Sequence, residues 1–264
     1  MAGAVGRETT LRESRKMSAV ASADRTAEMT PRTKGRFAGA FYLLYVVAGI
    51  YAQAFVSDRL VVMRDAATTA ANILANQSAY RLGFTVYLIE MAGQIATAVL
   101  FYQLLKPVSR TGAMLAAAFE LTGCGIKIFS RLFYFAPLLV LSGDVSYLSV
   151  FNKEQLDAIA LLLLKINDYG AAIALAFFGF STLLQGWLIY RSGFLPRWLG
   201  VIGIIGGFGW LTFLSPPLGM RLFLYLALFA LIGVVAMIVW LLTVGVDEQR
   251  WRQRAAQAAS SIWT

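Results

Sequence analysis

Six long apolar stretches, separated by short polar connections, leave this chain few ways to fold. Four of them have 20–29 residues, enough for the roughly 20 that an α-helix needs to cross the ~30 Å hydrocarbon core of a bilayer; the fourth is too long for one perpendicular crossing and the fifth is shorter. In hydrocarbon every backbone N–H and C=O must be paired inside the segment, so the stretches are expected as helices. They are placed at about residues 37–56, 82–105, 113–141, 154–190, 199–214 and 222–244. Only 14% of the residues are charged, against about 25% in a soluble domain. The fold expected is all-α, an integral membrane bundle of six transmembrane helices.

Residues 57–81 are too polar to span. Asp65 is placed as the cap of a short extramembrane helix over 66–75, with Ile73 and Leu74 on its apolar side. The fourth segment is expected to run unbroken from 154 to 190, capped by Asn152. The fifth carries Gly200, Gly203, Gly206, Gly207 and Gly209, and Gly203 and Gly207 offer a close helix–helix contact to a partner. The chain divides into a disordered basic tail (1–35), the six-span domain (36–246) and a C-terminal tail (247–264).

Charge gives the expected orientation. With the termini on one side, fifteen Lys and Arg lie in segments on that side and five in segments on the other. The positive-inside rule makes the first side cytoplasmic, in a cell inner membrane. The same rule accounts for the net charge of +9, with membrane lipids as partners and no nucleic acid, because no basic stripe with interleaved aromatics lies outside the spans. There is no histidine and one cysteine, Cys124. That removes imidazole-dependent catalysis, His-ligated haem or zinc, and any intrachain disulfide. No cofactor and no metal site are expected.

Ionisable residues inside the spans carry the functional signal, because a charge there costs several kcal/mol without a partner or water. Glu120, Cys124, Lys127 and Arg131 recur at helical spacing on one face of the third span. Glu90 and Gln94 share a face of the second, one turn after Tyr87. The fourth carries Lys165, Asp168 and Tyr169. Counting depth along each helix places Glu90, Lys127, Arg131 and Asp168 together in the outer half of the bundle, with Lys165 nearer the surface. Glu120 falls deeper, with Gln94 or Gln185 as its expected neighbour. The first reading of such a cluster is buried ion pairs that fix helix order; the second is a water-filled cavity, open to the outside, that binds a small polar or anionic molecule. As a ligand site, its excess of one positive charge favours an anion.

Several motifs recur in order: RFAG at 36–39, DAATTAANILA at 65–75, RLG at 81–83, LLKP at 104–107, YG at 169–170, FFGF at 177–180 and SGFLPRWLG at 192–200. This set resembles a bacterial multi-pass membrane family known as domain of unknown function number 4386, over residues 36–246. The resemblance implies a multi-span membrane protein and carries no activity with it.

Three functions compete on these residues. One is a carrier or sensor that binds a small polar, anionic or lipidic ligand in an intramembrane pocket. Another is an intramembrane enzyme acting on a lipid or isoprenoid through a buried Glu90, Glu120 or Asp168. The third is a structural or accessory subunit, motivated by the glycine face.

Overall fold

The computed structural model describes residues 29–143 and 146–260. Most of the expected disordered tail lies outside them. Helix α1 (Pro31–Ile50) begins earlier than expected, because Pro31 occupies its first turn and the Thr30 side chain accepts from the Thr33 amide. It continues through a π-helical stretch, Tyr51–Ser57, and a last turn, Asp58–Leu60. Then follow α2 (Ala66–Ala75), α3 (Gln77–Leu105), α4 (Arg110–Leu141), α5 (Lys153–Ser192), α6 (Arg197–Leu211), α7 (Pro216–Thr243) and α8 (Glu248–Ser260). The described residues contain no strand. Six of these helices are long and apolar enough to cross a membrane: α1 with its extension, α3, α4, α5, α6 with the 3-10 turn that follows it, and α7.

The caps follow from side chains. Asp65 accepts from the Thr68 amide at 2.9 Å and from the Thr68 hydroxyl at 2.6 Å, and starts α2. These bonds stabilise the ionised carboxyl and hold it below its ordinary range. Ile73 and Thr69 bury against the bundle, but Leu74 turns outward, a correction to the expected apolar face. Asn152 and Gln155 form a reciprocal capping box at the start of α5. At 40 residues α5 is about 60 Å long, twice a hydrocarbon core. It ends at Gly193, whose φ of 76° is the left-handed conformation that glycine adopts without strain.

Helix α6 lies against α5 at backbone contact. A Cβ on Gly186 would meet the Ile204 nitrogen at 2.6 Å, and one on Gly207 would meet the Leu183 nitrogen at 2.6 Å. The close approach expected of Gly203 and Gly207 is therefore made to α5 of the same chain. The C-terminal segment also departs from a simple tail. Helix α8 docks on the terminal end of the bundle, where Trp251 donates its indole N–H to the Leu104 carbonyl at 2.8 Å. Arg250 and Arg254 donate to the carbonyls of Gly193 and Arg191, capping the negative end of α5.

Two large apolar clusters pack the ends of the bundle. One, at the terminal end, includes Leu100, Leu104, Leu188, Leu199 and Leu241. The other, at the far end, includes Val56, Tyr80, Tyr87, Tyr134 and Leu164. Smaller clusters form around Phe178 and Phe213. The buried ionisable residues of α3 and α4 lie between the two large clusters, so a polar belt crosses the core.

Candidate functional site

The belt begins where α1, α3 and α4 meet. Lys127 on α4 donates to Glu90 Oε1 on α3 at 2.5 Å, and both side chains are largely buried. Gly49 of α1 makes room for this pair, since a Cβ there would come 2.9 Å from Glu90 Oε1. The second carboxylate oxygen, Glu90 Oε2, is buried without a hydrogen-bond partner. One turn along α3, Gln94 donates to Glu120 Oε1 at 2.7 Å, so Gln94 is the neighbour of Glu120. Gln185 donates instead to the Ser181 hydroxyl, which donates to the Ala116 carbonyl.

Glu90, Gln94, Glu120, Lys127 and Gln185 line one cavity of about 340 Å³. This volume lies at the lower end of the ~300–1,000 Å³ range of small-molecule sites. Tyr42 and Tyr45 of α1, stacked with ring centroids 4.9 Å apart, close it on one side. Apolar residues of α6 and α7 form the opposite wall. The lining includes Ile50, Phe229 and Leu231, whose side chains are exposed on the outside of the bundle, so the cavity reaches its lipid-facing surface beside α1 and α7.

The single outer cluster expected of Glu90, Lys127, Arg131 and Asp168 is instead two adjacent centres. Four residues along a helix move a side chain about 6 Å axially and turn it by about 40°, so Lys127 pairs with Glu90 of α3 while Arg131, one turn on, lies between Tyr87 of α3 and Asn167 of α5. The Arg131 guanidinium lies over the Tyr87 ring, its Cζ 3.5 Å from the centroid, and its Nη1 donates to Asn167 Oδ1 at 3.1 Å. Asn167 in turn donates to Asp168 Oδ1 at 3.0 Å. Among the described residues Arg131 has no carboxylate within ion-pair distance, and its buried Nε lacks a hydrogen-bond partner. The Ser57 hydroxyl lies 3.0 Å from that of Tyr87 and donates to the hydroxyl of Tyr134 at 3.2 Å. Gln53 accepts from Tyr87 and donates to Asp58. Gln53 and Ser57 both lie on the π-helical stretch, and such wide turns are frequent at functional sites. Lys165 and Tyr169 are on the exposed face of α5 and line neither centre.

Sequence reading passed over Gly49, Tyr42 and Tyr45 as site residues. The small residues of α1 signal a close helix contact, but nothing in their spacing names Glu90 as what they contact. Nothing in the run Tyr51–Ser57 announces the π-helical turns.

Among the described residues no group of three or more His, Cys, Asp or Glu is placed to hold a metal ion. Six apolar helices around a buried polar belt define a multi-pass membrane protein. The chain belongs to the family described as a domain of unknown function, DUF4386, whose model matches residues 37–245. An uncharacterized protein of Archaeoglobus fulgidus is 27% identical over 122 residues, which cover 44% of this chain. The chain spans only 56% of that relative's length. No solved structure matches the chain.

Proposed function

We propose that this protein binds a small lipidic ligand in the intramembrane cavity, as a carrier or a sensor. The observation that carries this reading is a cavity with two buried carboxylates and an ammonium on one side, apolar walls, and an edge reaching the lipid-facing surface. An amphiphile matches both parts: its head group meets the polar belt and its chain lies along α6 and α7. Entry from the lipid suits the edge beside α1 and α7. The basic residues of the terminal end, including Arg32, Lys106, Arg197 and Arg254, support a cytoplasmic placement of both termini in the cell membrane. The glycine face that motivated an accessory subunit is occupied by α5, which favours the binding reading over that one.

Photo-crosslinking tests it. The protein is reconstituted with an alkyl amphiphile bearing a diazirine on its chain, and the adducts are mapped by mass spectrometry. Adducts on Thr97, Gly206 and Val234, lost in Ala98→Trp, are the expected result. Adducts confined to bilayer-facing side chains such as Leu224 and Tyr225, and unchanged by Ala98→Trp, would overturn the reading.

A further inference from the structure

We propose that the ligand of this cavity is a lipophilic monocation whose positive charge exchanges with a proton on Glu120. The proposal rests on the cavity being a binding site and adds the charge of what enters.

Three side chains that can carry a charge at neutral pH line the cavity, two acidic and one basic: Glu90, Glu120 and Lys127. Lys127 is committed to Glu90 at 2.5 Å. Glu120 is hydrogen-bonded by the neutral Gln94, and among the described residues it has no cation within 4 Å. Only 9% of Glu120 is exposed. A second acceptor, Glu90 Oε2, is buried without a partner. With every group ionised the cavity holds one negative charge in excess. A lone charge in a membrane interior is costly unless it is neutralised or paired. Glu120 therefore holds a proton when the cavity is empty, or faces a cation when it is occupied.

The sequence-based charge count pointed to an anion because it included Arg131 and Lys165. Neither lines the cavity, nor does Asp168; Glu90 and Lys127 then balance, and Glu120, which that count left out, makes the sum negative. The walls suit a cation as well. Tyr42 and Tyr45 line the same cavity as Glu120, and aromatic faces attract ammonium groups through their quadrupoles.

The titratable and charged groups facing Glu120 come from three helices. They are Tyr42 and Tyr45 from α1, Glu90 from α3, and Lys127 with Cys124 from α4 itself. Helix α5 presents the neutral Ser181, Thr182 and Gln185, and the cavity residues of α6 and α7 include no titratable side chain. The exchange is a proton transfer: the carboxyl O–H bond of Glu120 breaks, the proton leaves to water, and the cation pairs with the carboxylate. No electron is transferred, and the net charge of the cavity is the same before and after.

Three probes of one chain length, decyltrimethylammonium, decyl sulfate and decanol, are titrated into the protein in nanodiscs, with Trp210 fluorescence as the readout. The ammonium is expected to bind at least ten-fold tighter than the other two. Its affinity should fall by up to ten-fold per pH unit on acidification, with one proton released per cation bound at low pH. Glu120→Gln should abolish both the preference and the pH dependence while still binding decanol, which shows that the variant is folded with its cavity intact. Ammonium binding that ignores pH, survives Glu120→Gln undiminished or is matched by decyl sulfate overturns the cation inference and leaves the cavity reading standing. Failure of all three probes, in wild type and Ala98→Trp alike, overturns both.

Discussion

Gly49 and Glu90 meet across the interface of α1 and α3, with the Glu90 carboxylate lying where a side chain at position 49 would stand. The absent Cβ is thus part of how the Lys127–Glu90 pair is held. Gly49→Ala should push Oε1 aside and weaken its bond to Lys127. The carboxylate is the far end of a flexible side chain, so it yields, and alanine adds up to ~1 kcal/mol of helix propensity. The expected outcome is a thermal midpoint within a few degrees of wild type and reduced photolabelling of the cavity. Adding Glu90→Asp, one methylene shorter, should restore part of the labelling. Wild-type labelling in Gly49→Ala would remove the glycine from the site.

The ion pair itself gives a second prediction. Removing one member of a buried pair leaves an uncompensated charge and costs about 3–5 kcal/mol, whereas replacing both is often neutral. Glu90→Gln and Lys127→Met should each lower stability by about that amount, while the double variant recovers most of it. Thermal unfolding in detergent measures all three. Additive losses in the double variant would show that the two residues do not act as a pair.

At Gly186, Gly200 and Gly207, helices α5 and α6 approach too closely for a side chain. Gly186→Ala and Gly207→Ala put a methyl group within 2.6 Å of backbone atoms, which cannot rotate away. Each should destabilise by about 1–3 kcal/mol, the usual cost of overpacking. Gly125→Ala is the control: its Cβ meets nothing within 4 Å, so it should be neutral or slightly stabilising. Equal midpoints for Gly186→Ala and Gly125→Ala would contradict the backbone contact.

The cap of α2 predicts a pH dependence. The Asp65 carboxyl titrates below its ordinary range because the amide and hydroxyl of Thr68 donate to its ionised form. A group depressed in the folded state stabilises above its unfolded pKa and loses that contribution as pH falls through the folded value. The protection of α2 amides, taken relative to their intrinsic exchange rate at each pH, should therefore fall below about pH 4, the ordinary carboxylate range. In Asp65→Ala that protection should be low already at neutral pH and unchanged by acid. Equal acid sensitivity in the variant would place the effect elsewhere.

Much of the architecture is legible one segment at a time. The α2 helix and its cap, the uninterrupted α5 and the six spans follow from local composition, capping side chains and the length of a bilayer crossing. Backbone satisfaction in hydrocarbon leaves an apolar stretch of some 20 residues little alternative to a helix. The polar face of α4 is equally local, because helical spacing alone aligns Glu120, Lys127 and Arg131.

Which residue meets which was decided by the tertiary structure. Depth counting gives a height along the bundle and only a coarse azimuth, and one turn with ~40° of azimuth pairs Lys127 with Glu90 while Arg131 lies on Tyr87 and reaches Asn167 of α5. That separation divides one expected cluster into two centres, and with Glu120 in the first of them the net charge of the cavity is negative rather than positive. The glycines show the same division. Their sequence announces close contact, while the packing decides that α6 spends it on α5 and that Gly49 gives its space to a carboxylate. Helix formation is a local property of the chain; the sign of a buried charge balance depends on the azimuths and crossings of several helices at once, which no single segment encodes.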